Sequence, residues 1–589
     1  MTQRIQRLST GAQDVLRLAA CIGNAFRWET FLTASGLPPA AADVGLAEAL
    51  NEGLIRPAER EYDPEFGTEG GVYAFIHDRV QQAAYALIPE RERPGVHLGV
   101  GRQLLAECGT PVPDDRLFEI VNHLNVGRLL VSDAEDRLTL SRLNLAAARK
   151  AKAATAYTAA LEYLSLGIDL CGAAEWETMY DLLFPLHFER AECLYLAGRF
   201  DDAARAHAAL YERAASKRDR AAVHELRVTF FENRSRYAEA VASGREGLSL
   251  FGIAFPDDDV AIQRALQLEL ESIQRLLGDR SIGSLTALPE MEDDDVRTAM
   301  RLLTLMWAPV YISGHQRLTS LISATMVRLS IQHGNTEDSA YGYVTHAITV
   351  GPVEHRYAEA CEWGELALAV NERFGDIKRR AKIHQQIHAH VKLWRRPFAE
   401  CVQHAREATT VGLQAGDFAY AGYGAATESW PAFLASRDLT QFVRDYTPSL
   451  AFLTRVNMSG FRDAQRVMLN WALALQGRTA DPLSLSNEYL DEGEFVARYS
   501  ATAPLFMTVL RCAKLHLCVV FDEPVAGLQA VSRASEVTIP GTMWPVLEDF
   551  WSALVLSASH QNATPEDQAR YASRIAAVAR SLGELAENC

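Results

Sequence analysis

An aromatic residue followed three positions later by a small one opens stretch after stretch of this chain: Tyr157/Ala160, Phe200/Ala203, Tyr237/Ala240, Tyr357/Ala360 and Phe398/Cys401. Successive pairs lie roughly 40 residues apart, with one gap close to three such units, as expected of stacked supersecondary repeats. Residues three apart share one face of a helix, where a small side chain lets a partner helix approach and the ring fills the space beside it. The clearest copy, AECLYLAGRFDDAARAHAALYERA over 191–214, turns one helix into the next at Ala197-Gly198-Arg199-Phe200, with Gly198 permitting the tight reversal. At 589 residues the chain exceeds what one hydrophobic core organises, so an array of helix pairs, each packed on its neighbours, is the architecture the repeat demands. Ala, Leu, Glu and Arg dominate and blocks of Val, Ile and Thr are scarce, which makes the fold mostly all-α.

The first hundred residues follow a different plan. Ser9 or Thr10 caps a helix over 9–22 with Val15, Leu16, Leu18, Ala19 and Ile22 at helical spacing. After a turn at Gly23-Asn24, helical patterns cover Trp28 to Ser35 and Ala40 to Glu52, the second ending at Gly53. Leu54 to Pro57 and Val72 to Ile76, joined by a polar Gly/Pro/Glu-rich link, read as two strands of a hairpin. Helix, helix, helix, wing is the order of a small winged-helix-like domain. Such units often bind DNA, but residues 1–100 hold nine basic against thirteen acidic side chains, the wrong field for phosphates.

Four segments follow from this reading: a winged-helix-like domain over 1–100, a first helical block over 101–255, a linker helix and acidic loop over 256–295 containing LTALPEMEDDD, and a second helical block over 296–589. Late helices are expected at Leu505 to Phe521, Pro524 to Val537 and Pro565 to Glu587.

The formal net charge of -17 is spread along the chain and disfavours nucleic acid or an anionic membrane as partner. Nine cysteines, none in a CxxC pair and most inside helical patterns, fit a reducing cytoplasm. The longest apolar run, Leu505 to Phe521, is broken by Arg511 and Lys514, so no membrane span is expected. Asp14 and Arg17 interrupt the apolar stretch nearest the N-terminus, which argues against a signal peptide.

Signatures of phosphate loops, kinase lobes, HExxH zinc sites and GxSxG nucleophile elbows are absent from the sequence, so this segment is expected to be non-catalytic and to hold no cofactor of its own. His384 and His388 stand one helical turn apart, and with His404 form either a metal set or part of a packed repeat helix; the absence of a carboxylate or cysteine at diagnostic spacing favours packing. Asp257-Asp258-Asp259 and Glu292 to Asp295 lack the glycine of a calcium loop and read as solvated caps on helix N-termini. The tryptophans from Trp176 to Trp551 either line a ligand groove or pack between repeats, packing being the commoner use.

The helix-turn-helix copies resemble the tetratricopeptide pattern, although the spacing is nearer 40 than the usual period of about 34 and the closing proline is missing. The run Phe75-Ile76-His77-Asp78-Arg79-Val80-Gln81-Gln82-Ala83-Ala84-Tyr85 resembles the end of the winged-helix segment in signal-transduction ATPases with numerous domains. By that resemblance His77 contacts the nucleotide phosphate held by a neighbouring NTPase domain, with Asp78 as its companion; the other reading is a capping Asp78 beside a structural His77. Ala19 to Asn24, His77 to Tyr85, Leu196 to Phe200, Gly334-Asn335 and Gly416 to Tyr423, in that order, are similar to bacterial AAA-type ATPases that join a serine/threonine kinase-like domain to a sensor histidine kinase. The resemblance implies that both chain ends lie inside a longer protein, and that ATP or ADP, the kinase lobes and the histidine-kinase domain belong outside these residues.

The expected function is that of a non-catalytic sensing and coupling region: a solenoid that takes a protein partner or small effector and transmits its presence to an adjacent NTPase domain. Two alternatives stay open, a stand-alone protein-interaction scaffold and a winged-helix transcriptional regulator.

Overall fold

The structure, a computed structural model, describes residues 2–58, 71–109, 111–172, 175–234, 236–456, 458–500, 503–532 and 541–588. They separate into two compact units, Met1–Asp219 and Arg220–Cys589. The division lies in the first turn of a continuous helix, Lys217–Glu232, within the block expected over 101–255.

The first unit begins with α1 (Thr2–Ile5) and α2 (Thr10–Ile22). Ser9 caps α2, its hydroxyl accepting from the Ala12 amide, and Glu48 reaches back to the Ser9 amide at 2.9 Å. Strand β1 (Ala25–Arg27) precedes α3 (Trp28–Ser35) and α4 (Pro39–Asn51), and strands β2 (Ile55–Pro57) and β3 (Val72–Phe75) complete an antiparallel sheet in the order β1-β3-β2. Its register pairs Phe26 with Tyr73 and Ile55 with Phe75. The sequence reading has only the hairpin; β1 escapes it because three residues are too few to show alternation. The polar link between β2 and β3 lies largely outside the described residues. Val15, Leu16 and Ala19 of α2 pack with Phe26, Phe31, Leu54, Ile55 and Phe75 in one core. Gly45 makes the α2–α4 approach possible, since a Cβ there would sit 2.8 Å from the Gly11 carbonyl oxygen.

Helix α5 (Asp78–Tyr85) leads into antiparallel pairs: α6 (Arg93–Cys108) with α7 (Asp114–Val126), α8 (Ala134–Ala153) with α9 (Tyr157–Asp169), and α10 (Tyr180–Leu196) with α11 (Phe200–Arg213). Asn125 and Asn144 exchange side-chain amide hydrogen bonds of 2.8 and 2.9 Å in the buried seam between α7 and α8.

The second unit holds α12 (Lys217–Glu232) from Arg220 on, then α13 (Tyr237–Ser249), α14 (Asp259–Leu277), α15 (Asp294–Ile312), α16 (Gln316–His333), α17 (Glu337–Ile348), α18 (Tyr357–Phe374), α19 (Ile377–Gln386), α20 (Phe398–Ala415) and α21 (Phe418–Thr427). Later helices include Pro504–Val520, Pro524–Ser532 and Pro565–Asn588; the last residues expected in the second of these, 533–537, lie outside the described residues.

The repeat has a local cause. At each of Ala156, Arg199, His315 and Asp417 the backbone N–H donates to the carbonyl five residues earlier, at 2.9, 2.8, 3.2 and 2.8 Å, as in a Schellman turn. The preceding residues, Thr155, Gly198, Gly314 and Gly416, carry the positive φ that such a turn needs. The aromatic of each repeat is the first residue of its helix, and the small residue at the fourth position is the true contact: Ala160, Ala203, Ala240, Ala360 and Cys401 are all buried. The rings do not uniformly fill the gap as expected, for Tyr357 is 3% exposed but Phe200 is 38% exposed.

The acidic clusters are caps: Asp258 accepts from the Ala261 amide at 2.8 Å to start α14, and Asp293 from the Asp295 amide at 2.9 Å to start α15. Segment 278–291 between them is not solvated throughout, because Ile282, Leu285 and Met291 enter the core of the second unit. Gly334-Asn335 holds it there. The Asn335 amide donates to the Pro289 carbonyl and the Met291 amide to the Asn335 carbonyl, both at 2.8 Å, while the Asn335 side chain donates to the Leu285 carbonyl at 2.8 Å and accepts from the Tyr343 hydroxyl at 2.7 Å.

Candidate functional site: a polar and aromatic face of the helical array

Alternate helices of the second unit turn one polar face to a common side. In α12 it carries Glu225 and Glu232 two turns apart; in α17 Asp338 and Tyr341, in α19 Arg379 and Lys382, and in α21 Tyr420 and Tyr423 each share a face at three-residue spacing. Arg297 and Arg301 of α15 add a guanidinium pair one turn apart.

Arg379 is the hub at one end. Its Nη2 lies 2.7 Å from Asp338 Oδ1 and its Nη1 2.8 Å from Asp376 Oδ2, so two carboxylates from different elements hold one guanidinium fork. Asp376 is placed by its own work as the N-cap of α19, where it accepts from the Lys378 amide at 3.0 Å. Asp338 stands in the first turn of α17, whose start is fixed by a capping box between Thr336 and Ser339. Asp338 is 2% exposed, and burial pushes its carboxyl pKa up against the pull of Arg379. Arg301 pairs with Glu225 at 3.1 Å and Arg297 with Glu337 at 3.5 Å. Arg297, Arg301, Glu337, Asp338, Asp376 and Arg379, with Phe374, line a cleft of about 400 Å³. Both Arg297 and Arg301 keep part of their surface open to solvent, and a bound carboxylate or peptide carbonyl would meet donors already aimed outward.

At the other end Lys382 Nζ lies 4.8 Å from the centre of the Tyr420 ring, and the hydroxyls of Tyr341 and Tyr420 hydrogen-bond. Burial drives the Tyr420 phenol well above its ordinary pKa and raises the Glu232 carboxyl, so the tyrosines remain neutral donors in the physiological range. Nothing in this arrangement pairs a nucleophile with a base; it can bind and orient, through charge, hydrogen bonds and ring faces.

A second cleft, of about 700 Å³, runs between Ser281 to Thr286 and the flank of α18, with Cys361, Glu362 and Glu365 on one wall and Arg395 and Arg396 at the rim. Burial pushes the Cys361 thiol up in pKa, partly offset by Arg395, Arg396 and Lys392, so its nucleophilic thiolate is disfavoured.

His77 and Asp78 both lie exposed at the start of α5. His77, rather than Asp78, is the capping residue: its Nδ1 accepts from the Arg79 amide at 3.1 Å, and Asp78 is the first residue of the helix. This fixes the proton of a neutral His77 ring on Nε2.

His384, His388 and His404 do not form a shared set. His384 Nδ1 meets His404 Nδ1 at 2.9 Å, but Lys392 Nζ stands 3.1 Å from the other nitrogen of His404, and His388 Nε2 is bonded to the Thr427 hydroxyl at 2.8 Å. The one-turn stacking of His384 and His388 presumes a regular α-helix, and the backbone passes into a π-helical turn at Ile387–Val391. Burial holds His384 and His388 down at about 3 and His404 at about 4. The tryptophans Trp307, Trp363, Trp471 and Trp544 are core residues, so packing is their use.

Sequence reasoning missed the polar face, although Gly416 to Tyr423 was within the segments that carry the family resemblance. The available signal was charge and hydroxyl recurring at three-residue spacing in alternate helices.

No protein-family model matches the sequence. The chain is 22% identical over 446 residues to hybrid signal transduction histidine kinase G of Dictyostelium discoideum, an alignment covering 64% of this chain and 13% of that protein. This chain therefore corresponds to a small part of its curated relative. Among solved structures it is similar to a signal transduction ATPase with numerous domains carrying a tetratricopeptide repeat sensor, from Pyrococcus horikoshii, at TM-score 0.41 and 12% identity over 85% of this chain and 66% of that one. It is also similar to Naa15/Naa10 bound to HypK-THB, at TM-score 0.18 and 12% identity over 91% and 87%.

Proposed function

We propose that this chain is the sensing and coupling region of a longer cytoplasmic signal-transduction protein, without catalysis or a catalytic cofactor of its own. The observation that carries the reading is the continuous polar and aromatic face from Arg301 and Arg379 to Tyr420, which offers a protein segment or small effector fixed donors and acceptors. The similarity to a stretch of a signal transduction histidine kinase supports the signalling context. Among the described residues the cysteines are free, in keeping with a reducing compartment, and no helix is long and apolar enough to cross a membrane.

Residues 1–100 act in this reading as a winged-helix-like unit. Helix α2, strand β1, helices α3 and α4, then the β2–β3 hairpin, with β3 between the other two strands, is the arrangement that supports it. Its role is coupling to an adjacent NTPase domain. His77, fixed by capping with Nε2–H directed away from its own helix, donates to a nucleotide phosphate held by that domain, and Asp78 stands beside it. The net acidity of the unit speaks against DNA as the alternative ligand.

The test is ADP release from the full-length parent protein. With His77→Ala, ADP should dissociate at least about tenfold faster, the loss of one charge-assisted or phosphate hydrogen bond. Equal release rates in wild type and variant would refute the nucleotide-sensing role.

A further inference from the structure

Three side chains far apart in sequence meet in the first unit: Cys21 in the last turn of α2, His97 in the first turns of α6 and His123 in the last turn of α7. One ligand atom from each, the Cys21 Sγ and a ring nitrogen of each histidine, lies within 4.8 Å of the others. Among the described residues this is the group of three metal-ligating side chains that comes together.

The two rings face each other through the same atom, His97 Nδ1 lying 2.9 Å from His123 Nδ1. Two such lone pairs repel at this distance unless a proton or a cation lies between them. Each ring has a further partner. His97 Nε2 is 3.0 Å from the Tyr85 hydroxyl, and His123 makes a backbone hydrogen bond at Ile22 that favours the protonated nitrogen, as a carbonyl acceptor does. An Nε2–H held by an oxygen presents Nδ1 as a lone pair, the outer arrangement that orients histidines bound to metals.

Both imidazoles are held neutral by burial. Burial, then the neighbouring His123 and Arg93, hold His97 down at about 4, and burial pushes the Cys21 thiol up to about 12. A neutral Nδ1–H tautomer of either ring can supply the proton between them; a bound cation would take its place, both rings then holding their proton on Nε2, and would deprotonate the thiol. Arg93 is occupied elsewhere, its Nε donating to the Ile88 carbonyl at 3.1 Å and its guanidinium lying 5.0 Å from the centre of the Tyr85 ring. The donor set of one sulfur and two imidazole nitrogens suits a borderline-soft ion and not magnesium or calcium.

We propose that Cys21, His97 and His123 form a zinc site that ties α2 to the α6–α7 pair, with the fourth position left to water. It stands independently of the sensing role. Binding displaces the Cys21 thiol proton to solvent and changes no oxidation state.

The full, untagged chain, stripped with chelator and gel-filtered, is loaded with Zn²⁺ for metal analysis and separately with Co²⁺ for absorption spectroscopy. Wild type should retain about one equivalent of zinc and show a thiolate-to-cobalt charge-transfer band. Cys21→Ser should lose that band, and His97→Gln and His123→Gln should lose most of the metal. Tyr85→Phe, which keeps every ligand, should weaken binding by about tenfold, and His404→Gln, at the unrelated histidine pair, should bind like wild type. Circular dichroism run alongside identifies any unfolded variant, in which case the wild-type cobalt spectrum and Tyr85→Phe decide. Absence of the thiolate band in wild type, or zinc retained equally by folded Cys21→Ser and His97→Gln, overturns the proposal.

Discussion

The clamp at Asn335 offers a quantitative test of how the array is held together. Asn335 is 0% exposed and its carboxamide makes two hydrogen bonds, to the Leu285 carbonyl and from the Tyr343 hydroxyl. Asn335→Ala removes both. The cost is bounded because neither partner becomes an orphan: the Leu285 carbonyl still accepts from the Leu288 amide at 3.2 Å, and the Tyr343 hydroxyl still has a side-chain hydrogen bond with Ser330. The loss is then two net hydrogen bonds, about 2 kcal/mol, and not two full desolvation penalties. Asn335→Asp should be worse than alanine, since it keeps the acceptor for Tyr343 but turns a carboxylate oxygen toward the Leu285 carbonyl in a buried site. A chain of two compact units does not license a single two-state unfolding free energy. The assay is therefore native-state hydrogen exchange of peptides covering 281–291 and 334–343. A local loss of about 2 kcal/mol appears as roughly thirtyfold faster exchange there, with distant helices unchanged. Exchange altered less than about twofold, or an aspartate variant protected as well as wild type, would refute the clamp.

Three further outcomes follow from the same reasoning. Thr155 holds a φ of 59° in the turn before α9, where the turns before α11, α16 and α21 have glycine, so Thr155→Gly should stabilise the first unit by about 1 kcal/mol by removing left-handed strain, read as a raised midpoint in thermal melting. His346 is buried against Trp363, with ring centroids 5.0 Å apart, and burial holds it down at about 3. Its folded pKa lies below its unfolded value, so its stabilising contribution is complete above pH 6.5 and is lost as pH falls from there toward 3; between 6.5 and 5 the loss is about 2 kcal/mol, and a His346→Phe variant should show an acid limb shallower by that amount in exchange measured across α17 and α18. Arg379→Met strands the buried Asp338 carboxylate and should cost about 3–5 kcal/mol, whereas the double variant with Asp338→Asn should recover much of it; native-state hydrogen exchange across α17 and α19 in the single and double variants checks this, and additivity of the two losses would contradict the pairing.

What the sequence revealed and what it withheld divide along one physical line. The helix starts at Tyr157, Phe200, Tyr237, Tyr357 and Phe398 were legible because the turn before a repeat helix is set by a few consecutive residues, with a small residue one turn on and, before Tyr157, Phe200 and Tyr357, a left-handed position. The caps at Ser9, Asp258 and Asp293 were legible for the same reason. Strand β1 was not, since its pairing with β3 is decided by residues nearly fifty positions away. His77 was recognised as a special position, yet its capping of α5 depends on a rotamer that spacing does not encode. The division between the units at 219/220 leaves no trace in composition because it falls inside a continuous helix. The functional surfaces are the extreme case. Arg379 with Asp338, Lys382 with Tyr420, and Cys21 with His97 and His123 are each joined only by the stacking of helices, so local periodicity supplies the faces while the register between helices chooses the partners. A repeat array can therefore keep its helix starts and still exchange one polar face for another, because the small buried residues that fix the stacking, Ala160, Ala203, Ala240, Ala360 and Cys401, are not those that make up the polar face.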